Sequence, residues 1–217
     1  MDIELARFNM IEQQIRPWEV LDPGLLELLK KLPRELFVPP QDRDLAFADL
    51  NLPISHGECM MQPKVEARLT QALALTSTDR VLEIGTGTGY LTALLASCCA
   101  QVTSIDIHGD FLKPASARLE SLGIANATFE EGDAAEDWVE NDGWDAIILT
   151  GSVPIPPHAH RNRLADGGRL VAIVGQSPVM EAMLYSRSDD GESTELSLFD
   201  TSLPPLINVR TPSAFTF

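Results

Sequence analysis

The stretch VLEIGTGTGY, residues 81–90, decides the fold. VLEIG is a short apolar run that stops at a glycine, the signature of a buried strand, and the glycines then turn the chain into a helical segment running on through Cys99. Downstream the same alternation repeats. QVTSID (101–106) reads as a second strand and residues 109–122 as a second helix, with Pro114 expected to shift where that helix begins. ATFEEGD (127–133) and the apolar WDAIILT (144–150) come next as strands, then 157–165 as a helix, and GGRLVAIVG (167–175) as a fifth strand. Upstream, Pro63 opens a helix whose Val65, Leu69 and Leu73 share one face. Strands alternating with helices imply an α/β fold, a doubly wound, Rossmann-like and mostly parallel sheet with helices on both faces. Ligands then bind at the carboxyl ends of its strands. MEAMLYSR (180–187) and TELSLFD (194–200) flank Asp189-Asp190-Gly191, which predicts a C-terminal antiparallel hairpin at the sheet edge.

The first sixty residues have another texture. Leu5, Phe8, Ile11 and Ile15 fall on one helical stripe that ends before Arg16-Pro17. A second helix opens with Asp22 as N-cap and Pro23 in its first turn, and Leu25, Leu28, Leu29 and Leu32 repeat at helical spacing. Pro33, Pro39 and Pro40 break up the next stretch, and residues 45–62 read as an ordered loop. The expected organisation is one domain over 1–217: an N-terminal helical cap and lid (1–62), a core (63–175), and a hairpin with tail (176–217).

Composition limits the partners. With 16 Lys plus Arg against 32 Asp plus Glu, the net charge of −16 disfavours nucleic acid and anionic membranes, which need clustered cations. No apolar run approaches a membrane span, and MDIELARFNM lacks the pattern of a signal peptide, so a cytoplasmic location is expected. Cys59, Cys98 and Cys99 show no metal-ligand spacing; the last two are expected to pack as small apolar groups at a helix end.

The chemistry sits after the first strand. Gly85, Gly87 and Gly89 come after Glu83 in a G-x-G-x-G pattern, one residue short of the dinucleotide fingerprint. A carboxylate at Glu83 would repel a pyrophosphate and suits a cationic ligand. S-adenosylmethionine, with a sulfonium and an α-ammonium group, fits acid plus glycines better than NAD does. Two more acids end successive strands: Asp106, some twenty residues on, is placed for ribose hydroxyls, and Asp133 for an adenine amino group. The four histidines show no pairing that suggests a triad or a metal site, and Ser152 lacks a nucleophile elbow.

These residues are part of a longer likeness. VLEIGTGTGYLTALLA (81–96) resembles the first motif of class I methyltransferases, specifically of protein-L-isoaspartate O-methyltransferases. LPRELFVP (32–39), ADLNLPI (48–54), HGECMMQPKVEARL (56–69), WDAIILTGSVPIPP (144–157) and LADGGRLVAIVG (164–175) extend it over most of residues 7–175. The resemblance implies S-adenosylmethionine as cofactor, held by Glu83, Gly85, Thr86, Gly87, Gly89, Asp106, Asp133 and Ala134. It implies a lid and acceptor wall at Gly57, Met60, Met61 and Gln62, and methylation of isoaspartyl carboxylates in damaged proteins or peptides.

One departure bears on the acceptor. Where the family reads Thr-Ile-Ser-Gln-Pro, this chain has Cys59-Met60-Met61-Gln62-Pro63, so that Met61 replaces a serine and cannot donate a hydrogen bond. Carboxylate methylation needs no general base, because the attacking oxygen is already ionised at neutral pH, so the loss need not abolish transfer. A small-molecule acceptor, or cofactor binding without catalysis, stands as the alternative. The ending LPPLINVRTPSAFTF also matches the family poorly.

Overall fold

The computed structural model describes residues 2–138, 143–188 and 190–210. Its centre is a seven-stranded sheet built from β3 (Arg80–Ile84), β4 (Gln101–Asp106), β5 (Ala127–Glu131), β6 (Trp144–Val153), β7 (Leu164–Gln176), β8 (Val179–Arg187) and β9 (Ser193–Asp200). They lie in the order β5-β4-β3-β6-β7-β8-β9. The pairings from β5 across to β7 are all parallel, and β8 and β9 add an antiparallel edge. Order reverses at β3, whose neighbours are β4 on one side and β6 on the other, so the crevice for a ligand opens beyond Ile84. The hairpin forms as expected, although Asp189 of its turn lies outside the described residues.

Alternation along each strand sorts the core into two layers. Val81, Val102, Ile148 and Val171 face one cluster, which also takes in the N-terminal helices, α3 (Pro63–Leu73) and α4 (Tyr90–Ala96). Leu82, Ile84, Ile147 and Leu170 face the other, covered by irregular chain around Ala134 and Leu206 and by the short helix α6 (His158–Asn162). Central strands buried on both faces read as near-continuous apolar runs for this reason.

Several elements differ from expectation. The first helix, α1 (Ile3–Met10), passes into a π turn over Ile11–Ile15 and a 3-10 turn over Arg16–Trp18, so it does not stop before Arg16-Pro17. The wider turn shifts the buried face to Arg7, Met10, Ile11 and Ile15, leaving Leu5 and Phe8 more than half exposed, at 55% and 56%. Helix α2 (Pro23–Lys31) starts as anticipated, with the Asp22 carboxylate accepting the Leu25 N–H at 2.7 Å. Residues 45–62 are more structured than a loop: β1 (Leu52–Pro53) and β2 (Cys59–Met60) pair as a small antiparallel ribbon. Helix α4 ends at Ala96, short of Cys98 and Cys99. Pro114 does not move the start of α5 (Gly109–Ser121); it stands inside the helix, where its missing N–H deprives only the first-turn carbonyl of Asp110. Helix α6 is five residues long because β7 already begins at Leu164, bulging before it resumes pairing at Arg169.

Another bulge shapes the crevice. Between Ile148 and Ser152, strand β6 advances four residues against two of β7. The excess turns Thr150 towards the glycines, where its hydroxyl donates to the carbonyls of Ile84 and Gly85 at 2.8 and 2.9 Å. Gly85 has φ +99°, and a Cβ there would fall 2.0 Å from Thr150 Oγ1. Gly89, the N-cap of α4, would place a Cβ 2.7 Å from that of Ala115, so it sets the closeness of α4 to α5.

A Gly85→Ala variant should therefore lose about 2–4 kcal/mol from backbone strain and contact together. Adding Thr150→Ala removes the nearest atom and should restore part of the loss in thermal unfolding. A double variant no more stable than the single one would assign the whole penalty to φ.

Candidate active site

The crevice is closed from above by the β1–β2 ribbon. One wall of the resulting cavity is the turn Gly85–Thr88, the opposite wall is Cys59, Met60 and Met61, and Asp106 to His108 with Phe111 form a side. Thr150, Gly151 and residues 204–207 complete it. The last segment arrives by a parallel bridge from Pro205 to Ser152, with Leu206 N–H bonded to the Ser152 carbonyl at 2.9 Å.

Asp106 is nearly buried, and two backbone N–H groups fix its carboxylate: Gly87 on Oδ2 and His108 on Oδ1, both at 2.9 Å. Thr86 lines the cavity and shares a hydrogen bond with Ser104 at 2.6 Å. Glu83 does not reach the cavity wall. It is wholly buried behind the glycine turn, where Oε2 accepts from Thr92 at 2.5 Å and Ser104 at 2.6 Å while Oε1 has no donor. Burial pushes its carboxyl up to about 8, opposed by the two hydroxyls and reinforced by Asp106 and Glu66. Asp133 and Ala134 line a smaller pocket that adjoins the cavity through Gly85, Ile107 and Leu206. Gly89 lies off the wall as a helix cap. Gly57 sits in the ribbon turn with φ +82°, and Gln62 offers its N–H to Asn51, so neither lines the cavity.

The structure also assembles groups that the motifs do not single out. His56 of the ribbon turn stacks on His108 with centroids 4.0 Å apart, and its Nε2 meets Asp110 at 2.9 Å, which ties the lid to the start of α5. Buried Arg34 donates to the carbonyls of Ala46 at 2.9 Å and Met61 at 2.6 Å, pairs with Glu66, and covers the Tyr90 ring. Glu66 lines the cavity; burial raises its carboxyl to about 7 against the pull of Arg34.

A glycine turn at the sheet's switch point, an ordered acid at the next strand end and a lid across both is a methyltransferase arrangement. The family profile of protein-L-isoaspartate(D-aspartate) O-methyltransferase matches residues 6–208. The chain belongs to that family. It is 40% identical over 196 residues to protein-L-isoaspartate O-methyltransferase 2 of Pelobacter propionicus, covering 89% of this chain and 87% of that one. A relative from Rhodopseudomonas palustris, protein-L-isoaspartate O-methyltransferase 1, is 40% identical over 203 residues, covering 93% and 82%. The fold matches the crystal structure of a Plasmodium falciparum beta-aspartate methyltransferase in complex with S-adenosyl-L-homocysteine, at a TM-score of 0.74 and 18% identity over 95% of this chain and 98% of that one. The protein is an S-adenosylmethionine-dependent methyltransferase. No helix among the described residues is long and apolar enough to cross a membrane.

The buried acids give this methyltransferase a pH signature. Glu83 and Glu66 keep their protons when folded at pH values where the unfolded chain has lost them, so their contribution to stability is complete below the ordinary carboxyl range. It is lost as pH rises through about 7 and about 8. The ligand-free protein should melt progressively lower between about pH 5 and pH 8, and Glu83→Gln should flatten that decline. Parallel melting curves for both proteins across this range would remove Glu83 as its source.

Proposed function

We propose that the enzyme transfers a methyl group from S-adenosylmethionine to the free carboxylate of isoaspartyl residues in proteins and peptides. One observation carries the reading: a single cavity has the glycine turn on one wall and the Cys59–Met61 lid on the other, so donor and acceptor meet in a covered space. Family membership supplies the acceptor class.

The residues present suit the cofactor. Gly85 and Gly87 have no side chain to obstruct close approach, the Thr86 hydroxyl between them is engaged with Ser104, Asp106 presents a carboxylate already held by two N–H groups, and Glu83 has a buried oxygen without a donor. In this proposal Gly85, Thr86 and Gly87 bear against the amino-acid portion, with Gly89 fixing the helix behind them. Asp106 receives the ribose hydroxyls, Asp133 and Ala134 border the adenine, and Glu83 balances the cationic end. Met60 and Met61 face the acceptor, while Gly57 and Gln62 shape the lid around them. When bound, S-adenosylmethionine supplies a methyl group on a sulfonium, an electrophile that an ionised carboxylate can attack directly.

The protein's part in such a reaction is to position and to exclude water. An isoaspartyl carboxylate is ionised at neutral pH, so no residue has to remove a proton. Met60 and Met61, both buried, offer a dry and adaptable wall in place of a hydroxyl, which favours a desolvated carboxylate over a hydrated one. Arg34, by holding the Met61 carbonyl, fixes that wall's backbone.

Methyl-tritiated cofactor should label an isoaspartyl peptide and leave its ordinary aspartyl counterpart unlabelled, the product being a base-labile ester. In calorimetry, Asp106→Ala should weaken cofactor binding roughly ten- to a hundred-fold, the cost of a charge-assisted hydrogen bond. Absence of label in the isoaspartyl peptide would overturn the acceptor, and unchanged affinity would overturn the ribose contact.

A further inference from the structure

The β1–β2 ribbon is held in different ways at its two ends. At the base, Leu52 and Met60 are buried in the core, Arg34 grips the Met61 carbonyl, and Gln62 N–H meets Asn51 at 3.2 Å. At the tip, the backbone hydrogen bonds among the described residues run within the turn itself. Ile54 N–H reaches the Glu58 carbonyl at 2.8 Å, and Glu58 N–H reaches that of Ser55 at 3.2 Å. The tip is therefore tied to the core through side chains.

His56 makes that tie. Its ring lies on the ring of His108 with centroids 4.0 Å apart and planes 8° from parallel, and Phe111 stands nearly at right angles to both. Its Nε2 meets both carboxylate oxygens of Asp110, at 2.9 and 3.0 Å. Asp110 is 64% exposed, so the ion pair adds little, and the stack backed by Phe111 supplies the larger share. The backbone is bent to make the contact: His56 has φ +63°, and Gly57 follows at +82°. A residue with a side chain keeps such a conformation where its surroundings over-determine it. A Cβ on Gly57 would meet nothing within 4 Å, so no wall behind the turn imposes the bend, and the His56 ring contacts remain as its cause.

The tip also covers one particular part of the cavity. Ile54 and His108 line it together with Gly87 and Asp106, and a Cβ on Gly87 would stand 3.5 Å from Ile54 Cδ1. The ribbon tip thus closes on the glycine turn through Ile54 and on the start of α5 through His56. Raising it about the Met61 base uncovers Gly87 and Asp106 while the anchored base stays in place.

We propose that the His56–His108 stack is the latch of a cofactor door, and that its parting sets the rate at which spent cofactor leaves and fresh cofactor enters. His56 is then a positioning residue, acting through the ribbon rather than on the reacting atoms. His108 serves both sides, since the ring on which the tip docks also lines the cavity. The proposal rests on the cofactor placement given above, with Gly87 and Asp106 in contact with the ligand. Local opening of this kind gates exchange without altering the chemistry beneath it.

Two measurements on the full chain test it. Chasing tritiated S-adenosylhomocysteine with unlabelled ligand gives its release rate, and binding at rising concentration gives its association rate. Hydrogen exchange at the Ile54 and Glu58 amides of the ligand-free chain reports the tip by itself. His56→Asn removes the ring but keeps a residue that accepts left-handed backbone. It should speed release and association alike, roughly three- to ten-fold, and speed exchange at both amides. His56→Phe, which restores a stacking face without the Asp110 bond, should recover part of the slow release. Unchanged amide exchange in His56→Asn would overturn the latch whatever the ligand does. Faster release with unchanged association would make His56 an ordinary contact of the bound state and would also overturn it. Faster amide exchange with both ligand rates unchanged would keep the latch and overturn the cofactor placement behind it.

Discussion

A single buried guanidinium holds the cap, the lid and the core in register. Arg34 is 1% exposed, and its donors reach the Ala46 carbonyl, the Met61 carbonyl and the Glu66 carboxylate while its plane covers Tyr90. These partners belong to the segment before the lid, the end of the ribbon, helix α3 and helix α4. Arginine suits the position because its planar fork serves several acceptors in fixed directions and also stacks, which lysine cannot do. Such a charge is tolerated inside because each of its three nitrogens meets an acceptor. Removing one partner would leave an uncompensated ion, typically costing about 3–5 kcal/mol, a large share of the stability of an ordinary domain. The lid is thus an extension of the core at its Met61 end, and its ribbon turn is held separately by His56 against His108 and Asp110.

The same interior buries two carboxyl groups close to a ligand cavity. Glu66 and Glu83 are both out of solvent, and Glu83 has one buried oxygen that no donor reaches. An interior with this imbalance is poorly adapted to being empty and well adapted to receiving a cation. Stability and ligand affinity then oppose each other, as expected where a site is preorganised for a charge it does not yet hold.

The features legible in the sequence were local. The glycine turn, the acid ending β4, Asp133 two residues past β5, and the Asp22 cap each depend on neighbours within a few residues, and the strand–helix alternation around Glu83 comes from short-range hydrophobic patterning. The stripe through Leu5 and Phe8 misled because the π turn at Ile11–Ile15 changes the helical period, and Arg7 is drawn inward by Glu35, twenty-eight positions away. Glu66 gave no signal, since a glutamate in the early turns of a helix is normally solvated. Its burial depends on Arg34, thirty-two positions earlier. Nor could the chain around Pro204–Ile207 be placed, because only its bridge to Ser152 at the end of β6 brings it to the cavity.

The antiparallel edge has a consequence for handling the protein. Strand β9 is the outermost of the sheet, and most of its side chains stand in water, Leu196 among them at 57% exposure. With no further strand paired to it among the described residues, such an edge is a template for pairing with another chain. Glu195 and Asp200 lie on it, and the net charge of −16 makes two copies repel each other at neutral pH. Colloidal stability therefore depends on the ionisation of surface carboxylates. Acidifying a concentrated solution towards the isoelectric region removes that repulsion, so resistance to self-association grows with pH over the range in which the buried acids make the fold itself less stable.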